Sequence, residues 1–355
     1  MLANANNITN NCKISLIIAA LLLFSSYSLH AQQIEGGFSE SYLQKNVGVR
    51  PIAMAGTYTA ISNESMGIFY NPAGLSSYTE QAEFSTMFSA LQFGRTHSAL
   101  SWGQSFFENV GFGAAINSFT TGSFMSRDIK GNPLGNMTSW QYSAIAGVSY
   151  TIDYASFGVA GKYISHTVSN SDIKANGYGL DLGAIFNVMD LFSFGLSVQN
   201  VSGMVFWNGE EDKTAYLPYL VRSGIAMEIG LNDEEYLSRS TVTGELESYY
   251  IPPTRYLLLG FDAVLNQYDN NPTFTIGAEL VAHEAIAFRG GIAIAGDNLG
   301  KFSFFPMTYW GFGVSLRPEI EYLEFLRSID YSLANDKLSR TGISHHISIN
   351  IDFKY

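Results

Sequence analysis

The chain has a single cysteine and few basic residues. Cys12 precedes the apolar run Ile14 to Phe24, and this run, followed by small residues up to Ala31, predicts a secretory signal peptide over residues 1–31. Removal of that segment leaves no thiol, which excludes disulfides and cysteine metal sites. The net charge of −12 becomes −13 when Lys13 is removed with the segment. This acidic balance argues against a nucleic-acid partner, which would require a basic stripe.

Long apolar runs are also missing after the predicted signal peptide. A helix that crosses a membrane needs about 20 apolar residues, and even the run at 14–24 is shorter than that. Charged residues make up only 14% of the chain and aromatic residues also 14%. This composition is more hydrophobic than that of a typical soluble enzyme. A transmembrane β-barrel fits both observations, because a barrel strand needs only about 9 to 11 residues and shows lipid an apolar side chain at every second position.

The end of the chain alternates between apolar and polar residues. In a strand, residues 343–355 would place one set of side chains on one face and a second set on the other. The first set is mostly apolar: Ile343, His345, Ile347, Ile349, Ile351, Phe353 and Tyr355. The second set is polar: Ser344, His346, Ser348, Asn350, Asp352 and Lys354. Such a strand separates an apolar medium from a polar one, and a final aromatic residue on it is typical of outer-membrane barrels.

Fourteen segments alternate between turn-forming residues. An even number is what a bacterial single-chain barrel requires, because antiparallel closure then brings both ends to the periplasmic side. The predicted strands are 82–92, 94–103, 110–121, 140–152, 155–168, 174–188, 191–201, 220–230, 255–266, 272–283, 286–296, 308–317, 324–335 and 343–354. The predicted fold is all-β, an antiparallel transmembrane β-barrel of these fourteen strands over residues 81–355.

The phase of the alternation also places the charged side chains. Asp181 and Glu279 fall on the inner face of their strands, opposite the apolar set. Carrying the phase along the chain adds six further inner residues: Lys162, Arg222, Glu228, Asp262, Arg289 and Arg317. The interior is therefore predicted to be polar with charges of both signs, which favours salt-bridged packing over a selective pore.

The lengths of the connections support this arrangement, since outer-membrane barrels keep periplasmic turns short and extracellular loops long. The short connections, predicted to be periplasmic, are 153–154, 189–190 and 284–285. The long connections, predicted to be extracellular, are 122–139, 202–219 and 297–307. The acidic, tyrosine-rich stretch 231–254 is an exception, because the count places it on the periplasmic side. Either a strand is missed there, or the stretch is a functional periplasmic element.

Residues 32–80 do not alternate like barrel strands. They are predicted to form a compact hatch inside the barrel, because non-helical backbone at membrane depth must be surrounded by protein or by a water-filled cavity. Within them GVRPIAMAGTYTAISNESMGIFYNPAGLSS, residues 48–77, resembles the amino-terminal signature of the PorV/PorQ family, part of the FadL-like superfamily of fourteen-stranded barrels. The resemblance implies a hatch motif inside the barrel: Asn71, Pro72, Ala73 and Gly74.

This resemblance implies two functions of different classes. The preferred one is a PorV-like accessory of type IX secretion in the outer membrane of a Gram-negative bacterium. Its partners would be outer-membrane lipid, a secretion translocon and the C-terminal signal domains of exported proteins. Phe206 and Trp207, in the predicted loop 202–219, are its candidate partner-binding residues. The alternative is FadL-like transport of a hydrophobic small-molecule ligand, which would leave through a gap in the barrel wall.

The residues of an enzyme site do not come together in this sequence. His345 and His346 would point to opposite faces of their strand and cannot easily share a metal. His283 and Glu284 lack the second histidine of a zinc-protease helix, and no Gly-x-Ser-x-Gly elbow occurs. We therefore expect no catalytic activity, no metal and no cofactor.

Overall fold

The computed structural model describes most of the chain after the predicted signal peptide. The described residues are 39–77, 81–106, 109–188, 191–208, 213–232, 234–239, 246–251, 253–268, 271–295, 307–318, 324–335 and 342–354. The predicted signal peptide, residues 1–31, and the final aromatic residue Tyr355 lie outside them. Within the described residues no helix has the length and apolar character needed to cross a membrane.

The described residues contain seventeen strands. They are β1 (Gln81–Ala90), β2 (Thr96–Phe106), β3 (Val110–Arg127), β4 (Pro133–Ile152), β5 (Ala155–Val168), β6 (Lys174–Val188), β7 (Phe192–Trp207), β8 (Lys213–Tyr216), β9 (Leu220–Gly230), β10 (Glu234–Arg239), β11 (Leu246–Ile251), β12 (Tyr256–Asn266), β13 (Thr273–His283), β14 (Ile286–Ala295), β15 (Met307–Leu316), β16 (Leu326–Asn335) and β17 (Ile343–Lys354). All of them except β8, β10 and β11 form one antiparallel ring.

The ring is closed by pairing of the first strand with the last, for example Phe84 with Ile351. Closure leaves no unpaired sheet edge, which is the condition for a sheet to stand in an apolar medium. The prediction of a fourteen-stranded antiparallel barrel is confirmed. The short turns predicted at 153–154 and 284–285 are also confirmed, since β4 ends at Ile152 and β13 ends at His283.

The two faces of the wall follow the predicted phase. On β17, Ile349 exposes 43% of its surface, whereas its neighbours Ser348 and Asn350 are buried. Asp181 and Glu279 are buried on the inner side, as the alternation predicts. The barrel therefore presents apolar side chains outward and polar side chains to its lumen, the arrangement that lipid requires.

The predicted extracellular loop 122–139 is wrong, because most of it is a β-hairpin. Strand β3 continues to Arg127 and β4 begins at Pro133, so only a tight turn separates them. Both strands are longer than the stretch of about 9 to 11 residues that crosses a membrane. Beyond the wall both faces of the hairpin meet water, so the apolar alternation that predicts a strand is lost although the backbone pairing continues.

The stretch 231–254 contains two strands that the sequence analysis missed. Strands β10 and β11 pair with each other in register from Glu234 opposite Ile251 to Arg239 opposite Leu246, and they form a separate two-stranded sheet. Of the two alternatives, missed strands are therefore confirmed, although these strands do not join the ring. A periplasmic function for this hairpin stays a prediction.

The lumen of the barrel holds residues 39–77, which we call the inner segment. It contains 3₁₀ turns at Ser41–Gln44, Ser65–Phe69 and Pro72–Ser77 and one short helix, α1 (Val49–Ala53). Most of its side chains are buried, and it contacts strands on opposite sides of the ring, such as β5 and β15. The remaining residues of the predicted hatch range, 32–38 and 78–80, lie outside the described residues.

Glycines on the inner face of the wall let the inner segment approach closely. A β-carbon on Gly111 would lie 1.9 Å from the carbonyl oxygen of Leu75, and one on Gly195 would lie 2.2 Å from the carbonyl oxygen of Thr59. Real side chains do not tolerate such distances, so these positions exclude any larger residue. At these positions backbone therefore packs directly against backbone.

We predict that a charge on the outward face destabilises the barrel according to its depth. Ile349→Arg, near the middle of β17, should reduce the free energy of folding into lipid by about 2–4 kcal/mol, and Ile343→Arg, at the strand end, by only about 0–1 kcal/mol. Urea titration of the protein refolded into phospholipid vesicles measures both values. Equal losses at the two positions would contradict a lipid-facing surface on this strand.

Candidate functional site

The hatch motif holds the inner segment to the wall. The Asn71 side chain is fully buried, and its Nδ2 donates to the carbonyl oxygens of Thr59 (2.9 Å) and Ala184 (3.0 Å). Its Oδ1 accepts from the backbone N–H of Ala73 at 3.1 Å. A β-carbon on Gly183 would lie 1.9 Å from this Oδ1, so the wall leaves room for the amide. Asn71 thus joins two turns of the inner segment to strand β6.

The other residues of the motif make hydrogen bonds only within the inner segment, and they contact the wall by close packing. Pro72 begins a 3₁₀ turn and lies so close to β5 that a β-carbon on Gly158 would be 2.3 Å from its carbonyl carbon. A β-carbon on Gly74 would lie 1.9 Å from the carbonyl oxygen of Ser62. The motif therefore acts as an anchor, and these contacts give it no chemical reactivity.

A buried ion-pair network fixes the opposite side of the inner segment. Arg50 contacts Glu279 of β13 with two nitrogens, at 2.7 and 2.8 Å, and its third nitrogen contacts Glu64 at 3.1 Å. Arg289 of β14 contacts the same Glu279 and, at 3.2 Å, Asp330 of β16. The prediction of salt-bridged packing is confirmed for this part of the lumen, since cations and carboxylates lie in direct contact.

A second group of charges lies beside the first. Arg327 contacts Glu83 of β1 at 2.7 Å and Glu64 of the inner segment at 3.3 Å. Glu83 also accepts from the backbone N–H and the hydroxyl of Ser65, at 2.8 and 2.7 Å. Because removal of one partner from a buried pair typically costs about 3–5 kcal/mol, these contacts oppose any movement of the inner segment along the barrel axis.

A cavity of about 490 Å³ lies between the inner segment and one mouth of the barrel. Its wall residues, such as Arg95, Asn266 and Ser344, come from the strand ends opposite the short turns 153–154 and 284–285. Aromatic and cationic side chains contribute to the lining, among them Phe119 and Arg222, and none of its described lining residues is acidic. We call this space the mouth cavity.

Two further spaces continue from the mouth cavity. The next is a water-sized cavity of about 20 Å³, here called the middle cavity, which shares Lys45 and Arg222 with the mouth cavity. The third is a depression of about 680 Å³ on the outer wall, called the wall depression, which shares Ile145 and Lys162 with the middle cavity. The middle cavity thus adjoins the mouth cavity on the lumen side, and the wall depression lies on the outward face of the same stretch of β4 and β5.

The wall depression is lined by small side chains between large ones. Ala114, Ala146 and Gly161 lie opposite one another on neighbouring strands, and a β-carbon on Gly161 would meet no atom within 4 Å. Leu100 and Tyr163, both exposed on the outward face, also line the depression. The surface is therefore an apolar concavity in the part of the wall that faces away from the lumen.

The barrel ladder is irregular beside this depression. The pairing of β6 with β7 shifts on both sides of Leu180, and Asn200 and Ser202 on β7 adopt left-handed backbone angles, with φ of 60° and 53°. Lys162 bridges this point by contacts with Asp181 (2.9 Å) and with Asn200 Oδ1 (2.8 Å). Bulges of this kind leave ladder hydrogen bonds unmade, so the wall here is held by side chains more than by backbone pairing.

The predicted loop position of Phe206 and Trp207 is wrong, because both residues belong to strand β7. Phe206 points outward and exposes 45% of its surface, whereas the Trp207 ring packs edge to face on His166 at 4.9 Å. His166 in turn contacts Glu40 of the inner segment at 2.9 Å. The alternation continues past residue 201, which the sequence analysis took as the strand end. Partner binding by this pair stays a prediction.

We predict that Asn71→Ala loosens the inner segment. The change leaves a buried N–H and carbonyl oxygens without their partner, which should lower the free energy of unfolding by about 1–3 kcal/mol and should speed amide hydrogen exchange in residues 57–75. Urea unfolding and exchange mass spectrometry measure the two effects. Asn109→Ala, an exposed asparagine in a turn, is the control and should change neither. Unchanged exchange in the Asn71 variant would show that this amide is no anchor.

Comparison with known proteins gives a likeness of fold. No family model matches the chain, and no curated protein matches it. Among solved structures, the toluene transporter TodX of Pseudomonas putida is similar with a TM-score of 0.58 and 12% identity over 87% of this chain and 99% of that one. The toluene transporter TbuX of Ralstonia pickettii is similar with a TM-score of 0.54 and 15% identity over 86% and 97%. A FadL homologue of Pseudomonas aeruginosa is similar with a TM-score of 0.55 and 11% identity over 87% of this chain and 98% of that one. The chain therefore shares the FadL-type barrel fold.

Proposed function

We propose that the protein is an outer-membrane channel of a Gram-negative bacterium that passes hydrophobic small molecules from the barrel mouth sideways into the membrane. The observation that carries the proposal is the position of three neighbouring spaces: the mouth and middle cavities share Lys45 and Arg222, and the middle cavity and the wall depression lie on the two sides of the wall at Lys162. Proteins of the same fold whose structures are solved include toluene transporters. Their substrate supports, by analogy of fold, an apolar ligand for this barrel.

A sideways route is favoured because the axial route is filled. The inner segment spans the lumen and is held by Asn71 on one side and by Arg50 with Glu279 on the other. Axial passage would require several buried charge pairs to separate. A sideways route would separate one buried pair, Lys162 with Asp181, beside the bulges at Asn200 and Ser202, where the ladder is irregular. The inner segment would thus act as a hatch that directs the ligand to the wall.

The middle cavity must widen for a ligand to pass, since it holds little more than one water molecule. The contacts that would have to change are those of Lys162 with Asp181 and Asn200. These side chains can rotate without breaking a strand pairing. We infer that the wall opens by local loosening of β7 at these contacts.

We predict that filling the wall depression blocks passage. Gly161→Phe places an aromatic ring in the depression without a clash, because its β-carbon direction is open. Uptake of radiolabelled toluene by cells that carry the variant should fall about tenfold, while the barrel folds normally. Ala278→Phe, an outward-facing position on strand β13, is the matched control and should retain uptake. Equal uptake by both variants and the parent protein would refute a route through this part of the wall.

A second function, the PorV-like accessory of type IX secretion, is supported by the β3–β4 hairpin. Ile129 at its turn is fully exposed, and Phe124 and Leu134 are exposed on its strands. The turn is ordered by Asp128, which accepts from the backbone N–H groups of Lys130 and Asn132 at 2.8 Å each. The pKa of the Asp128 carboxyl is lowered by hydrogen bonds from the side chain and backbone of Asn132. A rigid hairpin with apolar side chains in water is suited to contact another protein.

We predict that this hairpin is the surface that binds a secretion partner. The double change Phe124→Ser and Ile129→Ser should lower recovery of a secretion translocon or of cargo C-terminal domains about tenfold, because apolar anchors dominate such contacts. Purification from native outer membranes in mild detergent followed by mass spectrometry measures the recovery. Lys130→Ser in the same turn is the control and should leave it unchanged. A barrel that purifies without these partners would refute the accessory function.

A further inference from the structure

We propose that Lys162 and Asn200 form an intramolecular amide bond that joins strand β5 to strand β7 across β6. The inference assigns a covalent modification site to the wall and goes beyond the proposed channel function. Such a bond needs a nucleophile, an amide carbon to attack and an acid that moves protons. Lys162, Asn200 and Asp181 supply these three groups within hydrogen-bond distance of one another.

The Lys162 amine lies against both of its partners. Its Nζ is 2.8 Å from Asn200 Oδ1 and 2.9 Å from Asp181 Oδ2. Asn200 Oδ1 is bonded to Cγ, the carbon that the amine would attack, so the reacting groups are already side by side. Asp181 Oδ1 accepts from the backbone N–H of Asn200 at 2.8 Å. Asn200 Nδ2, the leaving nitrogen, donates instead to the carbonyl oxygen of Pro218 at 3.0 Å. The amide is therefore held with its oxygen toward the lysine.

The backbone of the wall explains how a lysine reaches an asparagine two strands away. Lys162 lies opposite Gly179 of β6, which has no side chain to fill the space between β5 and β7. A β-carbon on Gly179 would lie 3.3 Å from Lys162 Cγ and 3.7 Å from the Cα of Asn200. Asn200 itself belongs to the bulge in β7 and has a left-handed φ of 60°. The glycine and the bulge together bring the two side chains into contact.

Burial makes the reactive form of this group accessible. The side chains of Lys162 and Asp181 are 9% and 1% exposed, and Asn200 is 3% exposed. Transfer of a proton from the ammonium to the carboxylate replaces two charges by two neutral groups, and burial penalises charges. The transfer leaves a free amine, which is the nucleophile, and a protonated acid. The arginines of the lumen cannot react in this way, because a guanidinium stays protonated.

The reaction balances without any other reagent. Lys162 Nζ attacks Asn200 Cγ while Asp181 donates its proton to Oδ1, and a tetrahedral centre forms. Asp181 next takes a proton from Nζ and gives it to Nδ2. The Cγ–Nδ2 bond then breaks, ammonia leaves, the carbonyl forms again and the hydroxyl proton returns to Asp181. A lysine amine and an asparagine amide thus become one amide bond and one ammonia. The water-sized middle cavity, which Lys162 lines, can receive the ammonia.

The bond would close the wall permanently at this point. The proposed channel must separate Lys162 from Asp181 and Asn200, and an ion pair allows that separation whereas a covalent bond does not. Molecules that have reacted would stay closed, and only unreacted molecules would open. This consequence rests on the proposed function, but formation of the bond does not.

Chemical cleavage of the full-length protein tests the bond. Cyanogen bromide cleaves after methionine, so cleavage at Met189 and Met204 separates the fragment that contains Lys162 from residues 190–204, which contain Asn200. In protein purified from native outer membranes, we expect mass spectrometry to find the two fragments joined and lighter than their sum by one ammonia. In protein refolded from inclusion bodies, the joined share should rise with time.

Three variants remove one reacting group each. Lys162→Arg keeps a positive charge beside Asp181 but is no nucleophile, and Asn200→Gly keeps the left-handed backbone but lacks the amide. Both should give separate fragments only. Asp181→Asn should slow the joining about 100-fold or more, the effect of losing a general acid–base group. Lys174→Arg, which changes an exposed lysine in the same fragment as Lys162, is the matched control and should join as the parent does.

Separate fragments in the parent protein, both from native membranes and after prolonged incubation of the refolded barrel, would overturn the bond and leave the channel function standing. A joined fragment that persists in Lys162→Arg would overturn it as well, because another residue would then form the link. A joined share that rises while toluene uptake per barrel stays constant would confirm the bond and overturn an opening of the wall at these contacts.

Discussion

The shared contact of Glu279 with Arg50 and Arg289 is the interaction on which the lumen depends. It joins helix α1 of the inner segment to two strands of the wall through one carboxylate. Burial of three charges is costly, and direct contact with opposite charge compensates it only when the geometry is close. The two-pronged contact of Arg50 provides that geometry. This junction therefore holds the inner segment in place within the lumen.

The inner segment packs closely against the wall because the wall has glycines at several inner positions. Inner positions such as Gly183 and Gly195 carry no side chain, so the carbonyl of Thr59 and the amide of Asn71 reach the strands directly. The irregular backbone of the inner segment finds its hydrogen-bond partners in the lumen instead of in water, as backbone at membrane depth must. The same closeness leaves no free space near these contacts, and the cavities lie elsewhere, at the mouth and beside β7.

The strands of the wall can be predicted from the sequence because one face of each strand meets lipid and the other meets the polar lumen. Strands β5, β6 and β9 begin and end at the predicted residues, since each alternates between lipid and lumen along its length. The β3–β4 hairpin was missed because water lies on both of its faces and removes the pattern. Glycines at inner-face positions of the strands indicate that a segment packs against the wall from within. The number of glycines does not show this, but their position in the alternation of each strand does.

The positions of the cavities could not be predicted from the sequence, because they depend on contacts between strands that are distant along the chain. The alternation places Lys162 and Arg222 correctly on the inner face but says nothing of their partners. In the structure Lys162 has a carboxylate partner, and Arg222 has none within contact distance among the described residues. The charges that contact an opposite charge directly join the inner segment to the wall or one strand to another, whereas Arg222 contacts Gln199 and the Tyr70 ring. Glu279 and Arg222 therefore differ in the residues that surround them, and only the folded ring brings those residues together.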